Sequence, residues 1–125
     1  MIKLIYPLHR KPGMSRDEFQ AYWRGTHGPL VASVAKTLRI RRYVQSHTRT
    51  LGNEAGIQAR QGFAFEPFDG VAELWWDSLD EIAAAGSTPE GRAAGQLLLE
   101  DERNFIDLAR SPLWYSEENV VIGER

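Results

Sequence analysis

The chain has no cysteine, so disulfides, thiolate nucleophiles and thiolate metal sites are excluded. Histidine is scarce as well, with 3 residues, His9, His27 and His47. Their scattered positions make no zinc or iron triad, and no metal site is expected. No apolar run is long enough to span a membrane, and the N-terminal run leads straight into a strand pattern rather than a signal peptide. No membrane partner and a cytoplasmic address are therefore expected. The phosphate-binding loop, the dinucleotide glycine fingerprint and the Gly-x-Ser-x-Gly elbow are all missing. A formal net charge of -2 gives no footprint for nucleic acid. Arg39, Arg41 and Arg42 cluster, but strand alternation would put them on different faces as edge or ion-pair residues.

What remains is the composition of one ordinary globular domain covering residues 1–125, with 42% hydrophobic and 26% charged residues. Its most informative stretch runs from Arg10 to Leu30. Ser15 followed by Glu18 forms a capping box, and Met14 and Phe19 are spaced as a hydrophobic staple. Phe19, Tyr22, Trp23, Thr26 and His27 then fall on one helical face. Gly28-Pro29 is expected to break the helix there, because a residue before proline is pushed out of the α region. The pattern leaves an imidazole on an apolar face at a backbone irregularity.

Residues 2–8 read as a strand, 38–48 as a second and 71–76 as a third. Thr50 to Phe68, with Phe63, Phe65 and Phe68, reads as a long binding or lid loop. Ser78 with Glu81 starts a helix. Thr88-Pro89 starts another, expected to run to about Arg110. Residues 113–122 hold a final strand interrupted by polar residues. The sum is a βαββαβ order: an α+β, ferredoxin-like antiparallel sheet with helices on one face. The third strand is apolar on both sides, Ala72, Leu74 and Trp76 against Val71 and Trp75. Such a strand needs both faces covered, and a second copy in a homodimer is the simplest cover.

The motif from Arg10 to Phe19, then Tyr22-Trp23, His27 to Leu30, Val71 to Asp77 and Asn104 to Asp107, resembles the EthD family of dimeric α+β barrel proteins. The resemblance implies a pocket between sheet and helices, opening toward a dimer interface. It also implies kinship with cofactor-free isomerases, dehydratases and monooxygenases of lactones, quinones and polyketides, and with haem-degrading enzymes. In isomerase-like relatives a histidine near the end of the first helix takes part in catalysis, and His27 matches that position. A strand tyrosine also takes part, and Tyr43 is its nearest counterpart.

Each candidate carries two readings. His27 either closes a helix or moves a proton, as imidazole can near neutral pH. Asp101, among Ala94, Leu97, Leu98, Phe105 and Leu108, either forms a structural pair with an arginine or amide, or orients a histidine or acts as a base itself. Glu73 is either an ion pair across the sheet, with Arg42 as a partner, or a pocket carboxylate. The expected apolar pocket is lined by Tyr6, Trp23, Tyr43, Phe65, Trp75 and Phe105. The leading expectation is a small enzyme, without cofactor, that moves a proton on a hydrophobic metabolite. The rivals are a non-catalytic binding protein and a haem-handling protein.

Overall fold

The computed structural model describes residues 1–62 and 65–124, so Phe63 of the expected binding loop lies outside the described residues. β1 (Ile2–Leu8), β2 (Arg42–His47), β3 (Gly70–Trp76) and β4 (Trp114–Ser116) form one antiparallel sheet in the order β2-β3-β1-β4. That order inserts β3 between β1 and β2, the split-βαβ, ferredoxin-like topology. Side chains alternate across it. Tyr6 on β1 opposes Ala72, and Tyr43 on β2 opposes Leu74, so these residues share the helix-covered face. Lys3, Arg42 and Trp75 are in register on the other face.

α1 (Arg16–Tyr22) starts as its residues dictate: the Ser15 side chain accepts from the Glu18 amide, and the Glu18 carboxylate accepts from the Ser15 amide. Met14 packs onto the cluster that contains Phe19. Phe19, Trp23, Phe105, Tyr6, Leu8, Ala72 and Ile106 form that buried core. Its close packing needs Gly70, where a Cβ would come within 2.8 Å of the Ser46 carbonyl and closer still to the Trp23 ring.

The expected break at Gly28-Pro29 does not occur. Trp23–His27 forms a π-helical turn instead, with the Gly28 amide bonded to the Trp23 carbonyl, and α2 (Gly28–Val34) continues from it. Gly28 itself is helical, at φ -56 and ψ -52. Two physical facts reconcile proline with this path. Gly28 has no Cβ to meet the proline ring. The widened turn also accommodates the missing proline amide.

Four further expectations are corrected. The long loop contains α3 (Glu54–Gln61), stabilised at its start by Glu54 accepting from the Leu51 and Gly52 amides, and at its end by Gly62 in the left-handed region at φ 71. α3 buries none of its residues, which is why hydrophobic periodicity did not announce it. α4 (Leu79–Gly86) starts at Ser78 as expected, but Glu81 pairs with Arg39 across the chain. α5 (Pro89–Glu102), capped by Thr88, stops well before Arg110. There Ile106 bridges to Arg10, and the Asp107 amide bonds to the His9 carbonyl, so the chain turns extended to join the sheet's end. β4 is short, and residues 117–124 form no regular structure. At that same end Asp69, fully buried, accepts hydrogen bonds from Arg10 and Arg16.

Candidate active site

The π turn and α5 meet over the sheet and border a cavity of about 310 Å³. Leu4, Tyr6, Ala72, Leu74 and Tyr43 form its floor, while Trp23, His27, Val31, Leu98 and Leu99 form its walls. The lining is mostly apolar. Its polar groups are His27, Tyr6, Tyr43 and Glu102.

His27 is buried, and its ring is fixed from two sides. Phe105 packs against it at 4.9 Å between ring centroids. Nδ1 lies 2.7 Å from Asp101 Oδ2. No described residue hydrogen-bonds Nε2, and no buried side-chain nitrogen or oxygen among the described residues lacks a partner. Nε2 therefore opens to the cavity that the ring lines. An imidazole with Nδ1 on a carboxylate holds its tautomer and presents Nε2 as the reactive nitrogen. A carboxylate in that position can also stabilise an imidazolium, if Nε2 takes a proton.

Asp101 is itself held. Tyr22 donates to its Oδ1 at 2.5 Å, and Asn104 donates to the same oxygen at 3.3 Å and to the Tyr22 hydroxyl at 3.2 Å. Burial alone would raise the Asp101 carboxyl. The hydrogen bonds from Tyr22, His27 and Asn104 outweigh it and hold the group below the usual carboxylate range. Asp101 is thus an anion at neutral pH. Of the two readings of this residue, the partner found is the histidine, not an arginine or a backbone amide.

The neighbouring residue behaves oppositely. Glu102 lines the cavity and accepts from the Tyr6 hydroxyl at 2.9 Å. Burial pushes its carboxyl upward, and the Tyr6 hydrogen bond and the nearby His27 offset that only in part. Burial likewise raises the Tyr6 and Tyr43 hydroxyls, so both remain protonated donors. Tyr43 accepts from Gln45 Nε2 at 3.0 Å, and Gln45 also ties down the Trp23 carbonyl of the π turn.

The fold thus gathers His27, Tyr43, Tyr6 and Trp23 at one cavity, with Asp101 behind His27. Phe105 sits behind the His27 ring, fully buried, rather than on the cavity wall. Three expected pocket residues lie elsewhere. Trp75 and Glu73 project from the opposite sheet face, because strand parity places them away from Ala72 and Leu74. There Glu73 pairs with Lys3 at 2.6 Å rather than with Arg42, and Trp75 donates to Glu118 beneath the Arg42 guanidinium. Phe65 is 47% exposed beside α3, bonded through its backbone to Gln58. Glu102 is the functional group not foreseen. It was visible in principle, since Leu98, Glu102 and Ile106 follow one another at helical spacing on the cavity side. Among the described residues no cluster of histidine, cysteine or carboxylate side chains is arranged to hold a metal ion.

No curated protein matches the chain. Among solved structures, an EthD family protein from Bacillus halodurans is similar at 23% identity, covering 95% of this chain and 99% of its own, with a TM-score of 0.62. An EthD-like protein from Ralstonia eutropha is 21% identical over 99% of this chain and 96% of its own, at a TM-score of 0.64. SnoaB, a cofactor-independent oxygenase from Streptomyces nogalater, is 13% identical over 98% of this chain and 97% of its own, at a TM-score of 0.57. These likenesses establish the fold. The sequence itself matches the EthD domain over residues 11–109, and the chain therefore belongs to the EthD family.

Proposed function

We propose that this protein is a small enzyme, working without a cofactor, that removes and returns a proton on a hydrophobic carbonyl compound. The observation that carries the reading is the Asp101–His27 pair, with Nε2 directed into an apolar cavity. In the proposed step His27 Nε2 takes a proton from the carbon next to a carbonyl. The electron pair left behind moves onto the carbonyl oxygen, and Asp101 stabilises the imidazolium. Return of the proton to another carbon is an isomerisation, and departure of a hydroxyl group is a dehydration. Reaction of the carbanion with dioxygen is an oxygenation, the chemistry class of SnoaB. Apolar walls suit aromatic, lactone or polyketide-like substrates, and Tyr43 is positioned to donate to one.

A second copy of the chain is proposed to cover the open sheet face. Ile5, Val44 and Val71 are only partly buried there, Trp114 is 48% exposed, and one structural neighbour, from Bacteroides fragilis, is described as dimeric. No helix is long and apolar enough to cross a membrane.

The test is deuterium uptake from D2O into a panel of bicyclic ketones and unsaturated lactones, followed by proton NMR. At least one compound should exchange faster than in buffer. His27→Ala should slow that exchange by at least about 10²-fold, the low end for general acid–base catalysis. Undiminished exchange in the variant would sink the assignment. A compound retained unchanged in native mass spectra, with no exchange, would assign the cavity to binding alone.

A further inference from the structure

α5 delivers two consecutive carboxyl groups to the same site, and the site uses them differently. Asp101 lies behind His27, outside the cavity lining, with three side chains donating to it. Glu102 points into the cavity, where its Oε1 takes the Tyr6 hydrogen bond. No described residue bonds its Oε2. Because no buried side-chain oxygen among the described residues lacks a partner, Oε2 is accessible from the cavity. A carboxyl with one oxygen anchored and the other open among leucines has a ligand-facing atom and no structural task for it. Polar groups inside apolar pockets are few and set the orientation of what binds.

We infer that Glu102 and Tyr6 form the oxygen-recognition end of this cavity, with Glu102 Oε2 donating its proton to the carbonyl oxygen of the ligand. Glu102 is on this account the residue that selects carbonyl compounds over hydrocarbons of the same shape. The inference deepens the proposed function and rests on it only for the cavity being the ligand site. When His27 Nε2 takes the neighbouring carbon's proton, the electron pair moves onto that oxygen, and the Glu102 hydroxyl stabilises the enolate by hydrogen bonding. An apolar site that keeps a carboxylic acid uncharged as a donor is an established device in proton-transfer enzymes. The groups facing Glu102 are consistent with it. Tyr6 from β1 and Tyr43 from β2 are neutral phenols, His27 comes from the π turn, and Asp101 is a nearby anion. Burial, the largest cause, and Asp101 disfavour a charge on Glu102, while the Tyr6 hydrogen bond and His27 favour one, and the balance is upward.

The test compares 2-tetralone with tetralin, the same skeleton lacking the carbonyl, for binding to wild type, Glu102→Gln and Glu102→Leu by NMR titration across pH. In Glu102→Leu, 2-tetralone should bind about 3–10-fold more weakly, one hydrogen bond's worth, while tetralin binding is undiminished. Glu102→Gln keeps a neutral donor and should retain the preference. Wild type should lose its preference for 2-tetralone as pH rises and Glu102 ionises, and the Gln variant should not. Equal weakening of both ligands in Glu102→Leu, or identical pH profiles in wild type and the Gln variant, overturns the inference. If that happens while His27→Ala still abolishes exchange, the proposed function survives alone. Failure of wild type to bind either compound removes both.

Discussion

The two faces of the sheet carry similar residue types and use them in different ways. On the helix-covered face, Tyr6, Tyr43 and Ala72 meet His27 and Glu102 across a cavity. Each polar group there is oriented by a specific partner, as Asp101 holds His27 and Glu102 takes the Tyr6 bond. On the other face, Lys3, Glu73, Glu118, Arg42 and Trp75 pair with one another at a surface. The Glu118 carboxylate, held low by the Trp75 indole and Lys3, remains an ordinary anion. The same chemical groups are shifted mainly by burial at the cavity and mainly by their ion-pair partners on the open face.

The sharpest way to break this contrast is His27→Ala against Glu73→Gln. The first should slow proton exchange by at least about 10²-fold and the second should leave it unchanged. A comparable loss in Glu73→Gln would place the reactive face on the wrong side. Next in size is stability. Phe105 is fully buried behind His27, so Phe105→Ala should cost about 3–5 kcal/mol in urea unfolding. A cost below about 1 kcal/mol would mean the helices are not packed as described.

pH dependence sharpens the comparison within α5 itself. Asp101 has a lowered folded value, so its contribution is present above the ordinary carboxylate range and fades as pH falls through the lowered value. Glu102 has a raised one, so stability is fullest below the ordinary range and declines as pH rises through the raised value. Asp101→Asn should flatten the acid side of the stability profile, and Glu102→Gln the decline on the higher side. Opposite assignments in the two variants would reverse the charge states given to these neighbours. The smallest effect belongs to the open face. Lys3→Met should change stability by no more than about 1 kcal/mol, with the wild-type contribution reduced by salt. A larger change that depends on protein concentration would locate a subunit contact there.

Much of the fold was legible because its signals are local. Ser15 with Glu18, Ser78 and Thr88-Pro89 each mark a helix start through hydrogen bonds made within three or four residues. Strand parity correctly separated Ala72, Leu74 and Trp76 from Val71, Glu73 and Trp75. It did not say which set would meet the helices, and so Trp75 was expected in the pocket. α3 escaped notice because it buries no residue. The π turn escaped it because proline reads as a breaker unless the preceding glycine and a widened turn accommodate it.

The site divides in the same way. His27 could be singled out as an imidazole on an aromatic helix face, and Asp101 as a carboxylate among apolar positions. That the two are partners depends on a contact across 74 residues of chain, which no local pattern encodes. Glu102 shows the limit most clearly, since it is adjacent to Asp101 in the chain and opposite to it in charge behaviour. Sequence alone determined the starts of α1, α4 and α5, the alternation of the strands and membership of the α+β class, because these arise from neighbours along the backbone. Only the tertiary structure decided which carboxyl is anchored as an anion and which faces an apolar cavity, because a group's ionisation depends on what surrounds it in space.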